Sequence, residues 1–152
     1  MSKIDEKIRV GITQGDCNGI SNEVIIKTLM DARIYEICTP ILYGSSKVAS
    51  YHRKVMDVVD FNFNTIKSAS EAHSKRANLV NCYDKEVKIE MGKSSQVAGE
   101  LSVVAMEVAV EDLKKNNIDV LVTAPINKYS IQSQNFNYPG HTEFLADNSK
   151  LE

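Results

Sequence analysis

The chain has 152 residues, 43% of them hydrophobic and 25% charged, and a formal net charge of −2 at pH 7. That is enough apolar material for one globular domain with a core, and without a basic excess there is no case for a nucleic-acid partner. No apolar run approaches the roughly 18 residues a membrane-crossing helix requires, and no secretion signal is visible, so a cytoplasmic protein that does not touch membrane is expected.

In chain order, Ile8 to Ile12 alternates and reads as a short buried strand. It runs into Thr13-Gln14-Gly15-Asp16-Cys17-Asn18-Gly19-Ile20-Ser21-Asn22-Glu23, a loop rich in residues that favour turns. Ser21 or Asn22 is placed to cap a helix reaching about Tyr35, with Glu23 in its first turn. Thr39 to Tyr43 reads as a second strand, and Ser45 or Ser46 as the cap of a helix through about Met56. Val59 to Ile66 alternates as an edge strand, and Ser68 to Lys75 as a polar connection. Leu79 to Tyr83 and Val87 to Met91 read as a hairpin around Asp84-Lys85. Ser94 or Ser95 opens the longest helix, to about Asn116, with Val97, Leu101, Val104, Val108 and Leu113 as its apolar stripe. Ala98, Gly99, Ala105 and Ala109 lie beside that stripe, and Gly99 implies a close neighbour, because glycine inside a helix costs roughly 1 kcal/mol relative to alanine.

The run Val120-Leu121-Val122-Thr123-Ala124-Pro125 reads as a final strand stopped by proline, which donates no backbone hydrogen bond. Strands alternating with helices imply an α/β layered fold with a mainly parallel sheet. In such sheets ligands bind at the carboxyl ends of the strands. Asn127 and Lys128 would stand there, and Gly140 would turn the chain to set His141 and Thr142 side by side. An imidazole, a hydroxyl, an ammonium and an amide are usual components of a pocket for a small anionic, hydroxylated ligand. Asp16 and Asn18 are further candidates from the end of the first strand.

Several motifs fail. Gly11, Gly15 and Gly19 lack the GxGxxG spacing, and Gly92-Lys93-Ser94 lacks the first glycine of a P-loop, because position 87 is Val87. His52, His73 and His141 lie far apart without partners at metal-ligand spacing. His52 and His73 read as surface residues, and the clusters His52-Arg53-Lys54 and Lys75-Arg76 as solvated faces. Cys17, Cys38 and Cys82, odd in number and without a CxxC pair, read as reduced thiols.

Three segments resemble one family in order and spacing: Thr13 to Glu23, Gly92-Lys93-Ser94-Ser95 with Ala98-Gly99, and Val122 to Lys128 with Gly140-His141-Thr142-Glu143. The family is 4-hydroxythreonine-4-phosphate dehydrogenase, of pyridoxal phosphate biosynthesis. The resemblance covers essentially the whole chain. It implies a three-layer isocitrate/isopropylmalate dehydrogenase-like fold, truncated here, and a homodimer. It also implies oxidation of 4-phosphohydroxy-L-threonine with NAD or NADP and a divalent metal, followed by decarboxylation to 3-amino-2-oxopropyl phosphate. Within it His141 and Thr142 match substrate-contacting residues, and Lys128 could pair with the phosphate or carboxylate. The family's metal-binding histidines lie beyond residue 152, so no metal ligand is expected in this chain. Cys17 stands where the family has proline, and Ser21-Asn22 where it has Gly-Pro.

Residues 1–150 thus read as the amino-terminal portion of the dehydrogenase, a single α/β unit inactive by itself, and Leu151-Glu152 as a cloning scar. Two rivals stand beside this reading. One is a sister enzyme acting on a four-carbon sugar-acid 4-phosphate. The other is a phosphate acyltransferase of related fold.

Overall fold

The structure, a computed structural model, describes residues 6–132 and 136–148. Leu151 and Glu152 lie outside the described residues. Five strands form one sheet: β1 (Ile8–Thr13), β2 (Cys38–Gly44), β3 (Asn64–Ile66), β4 (Asn78–Asn81) and β5 (Val120–Thr123). Their order is β3-β4-β2-β1-β5, and every pairing is parallel. The helices are α1 (Ser21–Leu29), α2 (Ile34–Ile37), α3 (Ser46–Val55), α4 (Gln96–Lys114), α5 (Lys128–Ile131) and α6 (His141–Asn148).

Alternation along the strands sends side chains to two separate cores. Leu42 and Leu79 meet Ile25 and Leu29 of α1 and Ala49 of α3 on one face. Ile41, Tyr43, Val80 and Ile118 meet Ala109 of α4 on the other. The molecule therefore has three layers, the α/β architecture with a parallel sheet that the alternation of elements predicts. Among the described residues no helix is long and apolar enough to cross a membrane.

Local chemistry explains most boundaries. The Ser45 hydroxyl accepts from the Val48 amide to open α3, and the Ser95 hydroxyl accepts from the Ala98 amide at 3.1 Å to open α4. After α4, Asn116 adopts φ +58°, the left-handed conformation that ends helices.

Five expectations need correction. First, α1 stops at Leu29 and not near Tyr35, because Asp31 accepts from the Arg33 amide and makes a turn before α2. Second, neither Ser21 nor Asn22 caps α1. The cap position is Ile20, and the Ser21 hydroxyl instead donates to the Asp16 carbonyl at 2.8 Å. Third, the alternating run from Val59 is strand only over β3; Phe61 and Phe63 pack edge to face against each other. Fourth, no hairpin forms around Asp84. β4 is parallel, and Val87 and Ile89 pack, without strand pairing, on Cys17, Val48 and Ala98. Fifth, α4 buries its small-residue face. Ala98, Gly99, Ser102, Ala105 and Ala109 turn inward with Leu101 and Met106, while Val97 is exposed. Small residues there let helix and sheet backbones approach closely. A Cβ on Gly99 would stand 1.7 Å from the Ser130 carbonyl oxygen of α5.

Candidate functional site

The connections leaving β1 and β5 diverge. From β1 the chain enters α1 on one face; from β5 it enters α5, which packs against α4 on the other. Adjacent parallel strands with connections to opposite faces open a crevice at their carboxyl ends, the usual ligand position in open α/β sheets.

The two loops at this rim are stitched together. The Asp16 amide donates to the Pro125 carbonyl at 3.0 Å. Gly15 holds φ +67°, and a Cβ there would lie 2.3 Å from the same oxygen. Only glycine supplies both the left-handed conformation and the close approach.

The neighbouring rim is filled. Gln14, almost fully buried, donates to the Tyr83 hydroxyl at 2.6 Å and accepts from the Ser45 amide at 3.2 Å. Residues 84–93 cross over this region and are held by Asn18. Its side chain accepts from the Glu90 amide at 2.9 Å and donates to the Lys93 carbonyl at 3.2 Å, and its carbonyl accepts from the Gly92 amide. Asn18 is 2% exposed, so its groups are spent on the loop and none faces the crevice. Asp16 shapes the same turn, one carboxylate oxygen accepting from the Asn18 amide at 3.0 Å.

Beyond Pro125, Asn127 caps α5 by accepting from the Tyr129 and Ser130 amides at 2.9 and 3.1 Å. Its amide oxygen is thereby committed to helix initiation. Lys128 is exposed and has no ion-pair or hydrogen-bond partner among the described residues. Its Cε lies 3.8 Å from where a Cβ would stand on Gly140, and a Glu143 carboxylate oxygen lies 3.4 Å from the same point. Gly140 lies in the bend that leads into α6, with a φ outside the left-handed region, and its carbonyl accepts from the Phe144 amide at 3.4 Å.

His141 and Thr142 begin α6, where backbone amides lack intrahelical acceptors and favour an anion. Thr142 is exposed. The Nδ1 of His141 is buried and has no hydrogen-bond partner among the described residues. A buried polar atom without a partner costs free energy and calls for an explanation. Phe144 anchors α6 against Met106 and Val110 of α4, with Phe136 and Ile131. The structure thus gathers Lys128, Gly140, His141 and Glu143 at one end of the sheet, and ties Asp16 to the same rim through Pro125.

His52 corrects a surface assignment. It is 2% exposed, and its Nε2 lies 2.8 Å from the Cys17 carbonyl beneath the first loop. Burial lowers its pKa, against opposing contributions from that hydrogen bond, Glu23 and Asp16. Its position one helical turn from Val48 and Ala49 was the available signal. Cys17 is fully buried, which pushes its thiol up to about 11 and leaves it protonated at neutral pH. Ser130 has no sequence signature, yet its hydroxyl accepts from the Ser95 amide and pairs with the Ser94 hydroxyl. Among the described residues, no three His, Cys, Asp or Glu side chains gather as a metal site. The described residues at this rim do not fit a metal.

The model of the pyridoxal phosphate biosynthetic protein PdxA family matches residues 36–152. The chain belongs to that family. It is 52% identical over 143 residues to a 4-hydroxythreonine-4-phosphate dehydrogenase from Bacteroides thetaiotaomicron, a match that covers 94% of this chain and 39% of the relative. It is 35% identical over 152 residues to a Clostridium botulinum protein named "Putative D-threonate 4-phosphate dehydrogenase", covering 98% of this chain and 45% of the relative. The crystal structure of a 4-hydroxythreonine-4-phosphate dehydrogenase from Burkholderia phymatum superposes with TM-score 0.82 at 31% identity, covering 95% of this chain and 44% of that one. The chain therefore spans less than half the length of these PdxA-family relatives. The three motif segments that carry the resemblance fall at the rim of β1 and β5, at the start of α4 and at the start of α6.

Proposed function

We propose that the rim of β1, β5 and α6 is the amino-terminal part of the substrate site of a dehydrogenase acting on a phosphorylated hydroxy acid, with 4-phosphohydroxy-L-threonine as substrate. The observation that carries this reading is the buried Nδ1 of His141, unpartnered among the described residues, next to Gly140 and the Lys128 side chain that touches it. A ligand oxygen would satisfy that nitrogen. The Lys128 ammonium would neutralise a phosphate or carboxylate as a point charge, and the free amides of α6 would add hydrogen bonds to the same anion. Thr142 would hold a hydroxyl. These groups bind and orient; their contribution is to fix the reacting carbon in register for hydride transfer.

In this reading the full-length enzyme would use NAD or NADP and a divalent metal, which would supply hydride acceptance and polarisation of the alcohol, and its decarboxylated product would be 3-amino-2-oxopropyl phosphate, for pyridoxal 5'-phosphate biosynthesis. The groups that hold cofactor and metal are assigned to polypeptide beyond these 152 residues, in a cytoplasmic homodimer. The 152-residue chain alone is therefore expected to show no turnover with substrate, NAD and a divalent metal, and robust turnover would refute that assignment.

The decisive variant is His141→Ala in a chain extended to the length of the relatives. A loss in kcat/KM of roughly 100-fold, about 2.7 kcal/mol, is expected with little change in stability. Unchanged kinetics would remove His141 from the site. D-threonate 4-phosphate is the second reading, favoured by the name of the Clostridium relative. Comparing kcat/KM for the two substrates separates them.

A further inference from the structure

The other end of the sheet, where β1 and β2 begin, carries an open cavity of about 550 Å³ lined by Lys7, Arg9, Thr39, Ser70, Ser74 and Asp119. Its size falls within the range usual for small-molecule sites. One wall is held by Asn78, which is fully buried. The Asn78 side-chain oxygen accepts from the His73 amide at 2.9 Å, and its nitrogen donates to the Pro40 carbonyl at 3.1 Å and to the His73 carbonyl at 3.0 Å. The connection before β4 is thereby fastened to β2.

Two groups in this cavity are left over. Thr39 is 5% exposed, yet its hydroxyl has no hydrogen-bond partner among the described residues. It stands in register with Arg9, on the side of β2 that carries Ile41 and Tyr43, where Ala69 packs. A buried hydroxyl without a partner calls for one. Lys7 bridges two segments of the wall, its ammonium donating to the Tyr35 carbonyl at 2.5 Å and to the Ser74 carbonyl at 3.3 Å. Both acceptors are neutral, so the third N–H and the positive charge stay unmatched among the described residues. Arg9, by contrast, is paired with Asp119 at 3.5 Å.

We propose that this cavity binds a small monocarboxylate bearing several hydroxyls. The carboxylate would accept the third Lys7 N–H and the Thr39 hydroxyl proton. Ser70, Ser74 and the Arg9–Asp119 pair would take the ligand hydroxyls. One uncompensated cation matches one negative charge. Glu6, exposed on the same lining, would repel a second, which disfavours a phosphate dianion. An uncharged sugar would leave the ammonium unmatched. The inference goes beyond the function proposed above and does not depend on it, because the two sites lie at opposite ends of β1.

The test is calorimetric titration of the 152-residue chain with sodium D-gluconate, with amide NMR shifts to locate the contact. Saturable one-to-one binding is expected, with shifts centred on residues 6–9, 39 and 69–74. D-Glucose, acetate and glucose 6-phosphate should each bind at least tenfold more weakly. Thr39→Val and Lys7→Met should each weaken gluconate binding at least tenfold, about 1.4 kcal/mol, with circular dichroism unchanged. Lys128→Met, at the rim of β5, should bind as the parent does. The proposal is overturned if gluconate binding does not saturate or if a folded cavity variant binds like the parent. It is equally overturned if Lys128→Met abolishes binding, or if glucose 6-phosphate binds as tightly as gluconate.

Discussion

Asp16 donates its backbone amide to the carbonyl of Pro125 at 3.0 Å, joining the loop after the first strand to the loop after the last. These positions lie 109 residues apart in the chain, and the contact closes the floor of the crevice. It depends on Gly15, whose φ of +67° and proximity to the Pro125 oxygen leave no room for a side chain. Gly15→Ala is expected to cost about 2–4 kcal/mol, from left-handed strain plus overpacking against backbone. Urea unfolding followed by circular dichroism measures this; a loss below about 0.5 kcal/mol would mean the loop can simply shift.

Gly99 makes the opposite case to ordinary helix propensity. In an exposed helix, Gly→Ala would stabilise by roughly 1 kcal/mol. Here the added methyl would meet the Ser130 carbonyl at 1.7 Å, so α5 must move. Gly99→Ala should therefore destabilise the chain by about 2 kcal/mol. A rise in melting temperature would show that α5 is not seated on α4 as described.

Stability should depend on pH through His52. Burial lowers its folded-state pKa below the ordinary 6.5. The unfolded chain then binds the proton more readily, so the stabilising effect of the neutral ring is complete above that value and is lost as pH falls through it. Melting temperature should be flat in pH above about 6.5 and decline below, and His52→Gln should flatten the decline near pH 6. A parallel decline in the variant would place the sensitivity elsewhere.

Asn18 fastens residues 84–93 to the first loop. Asn18→Ala leaves the Glu90 amide and the Lys93 carbonyl without their side-chain partner. The expected cost is about 1–3 kcal/mol. Amide exchange should accelerate in residues 87–93 and hardly change in β1 and β2. Uniform acceleration across the sheet would mean that the segment and the core unfold as one unit.

What the sequence disclosed is what local chemistry controls. Ser45 and Ser95 announce α3 and α4 because capping is a short-range hydrogen bond, and Pro125 announces the end of β5 because it removes a donor. The reading of Val87 to Met91 failed because alternation there serves packing on Cys17 and Val48, with no neighbouring strand to pair. On α4 the expected stripe marks part of the buried face, through Leu101, while close backbone approach turns the neighbouring Ala98, Gly99, Ala105 and Ala109 fully inward. At the site, the positions of Asn127, Lys128, His141 and Thr142 at the strand end and the following turn were legible. That Asn18 and Asn127 spend their side chains on loop and helix geometry was not, because those bonds join residues whose contact the fold creates.

Ser130 sits two residues after Lys128, with its hydroxyl held by the Ser95 amide and its carbonyl seated over Gly99. The short helix that carries the lysine is thus pinned at its base to the longest helix of the molecule. In the proposed site only the flexible lysine stem would need ordering on anion binding, so the entropic penalty would fall on one side chain and not on a loop.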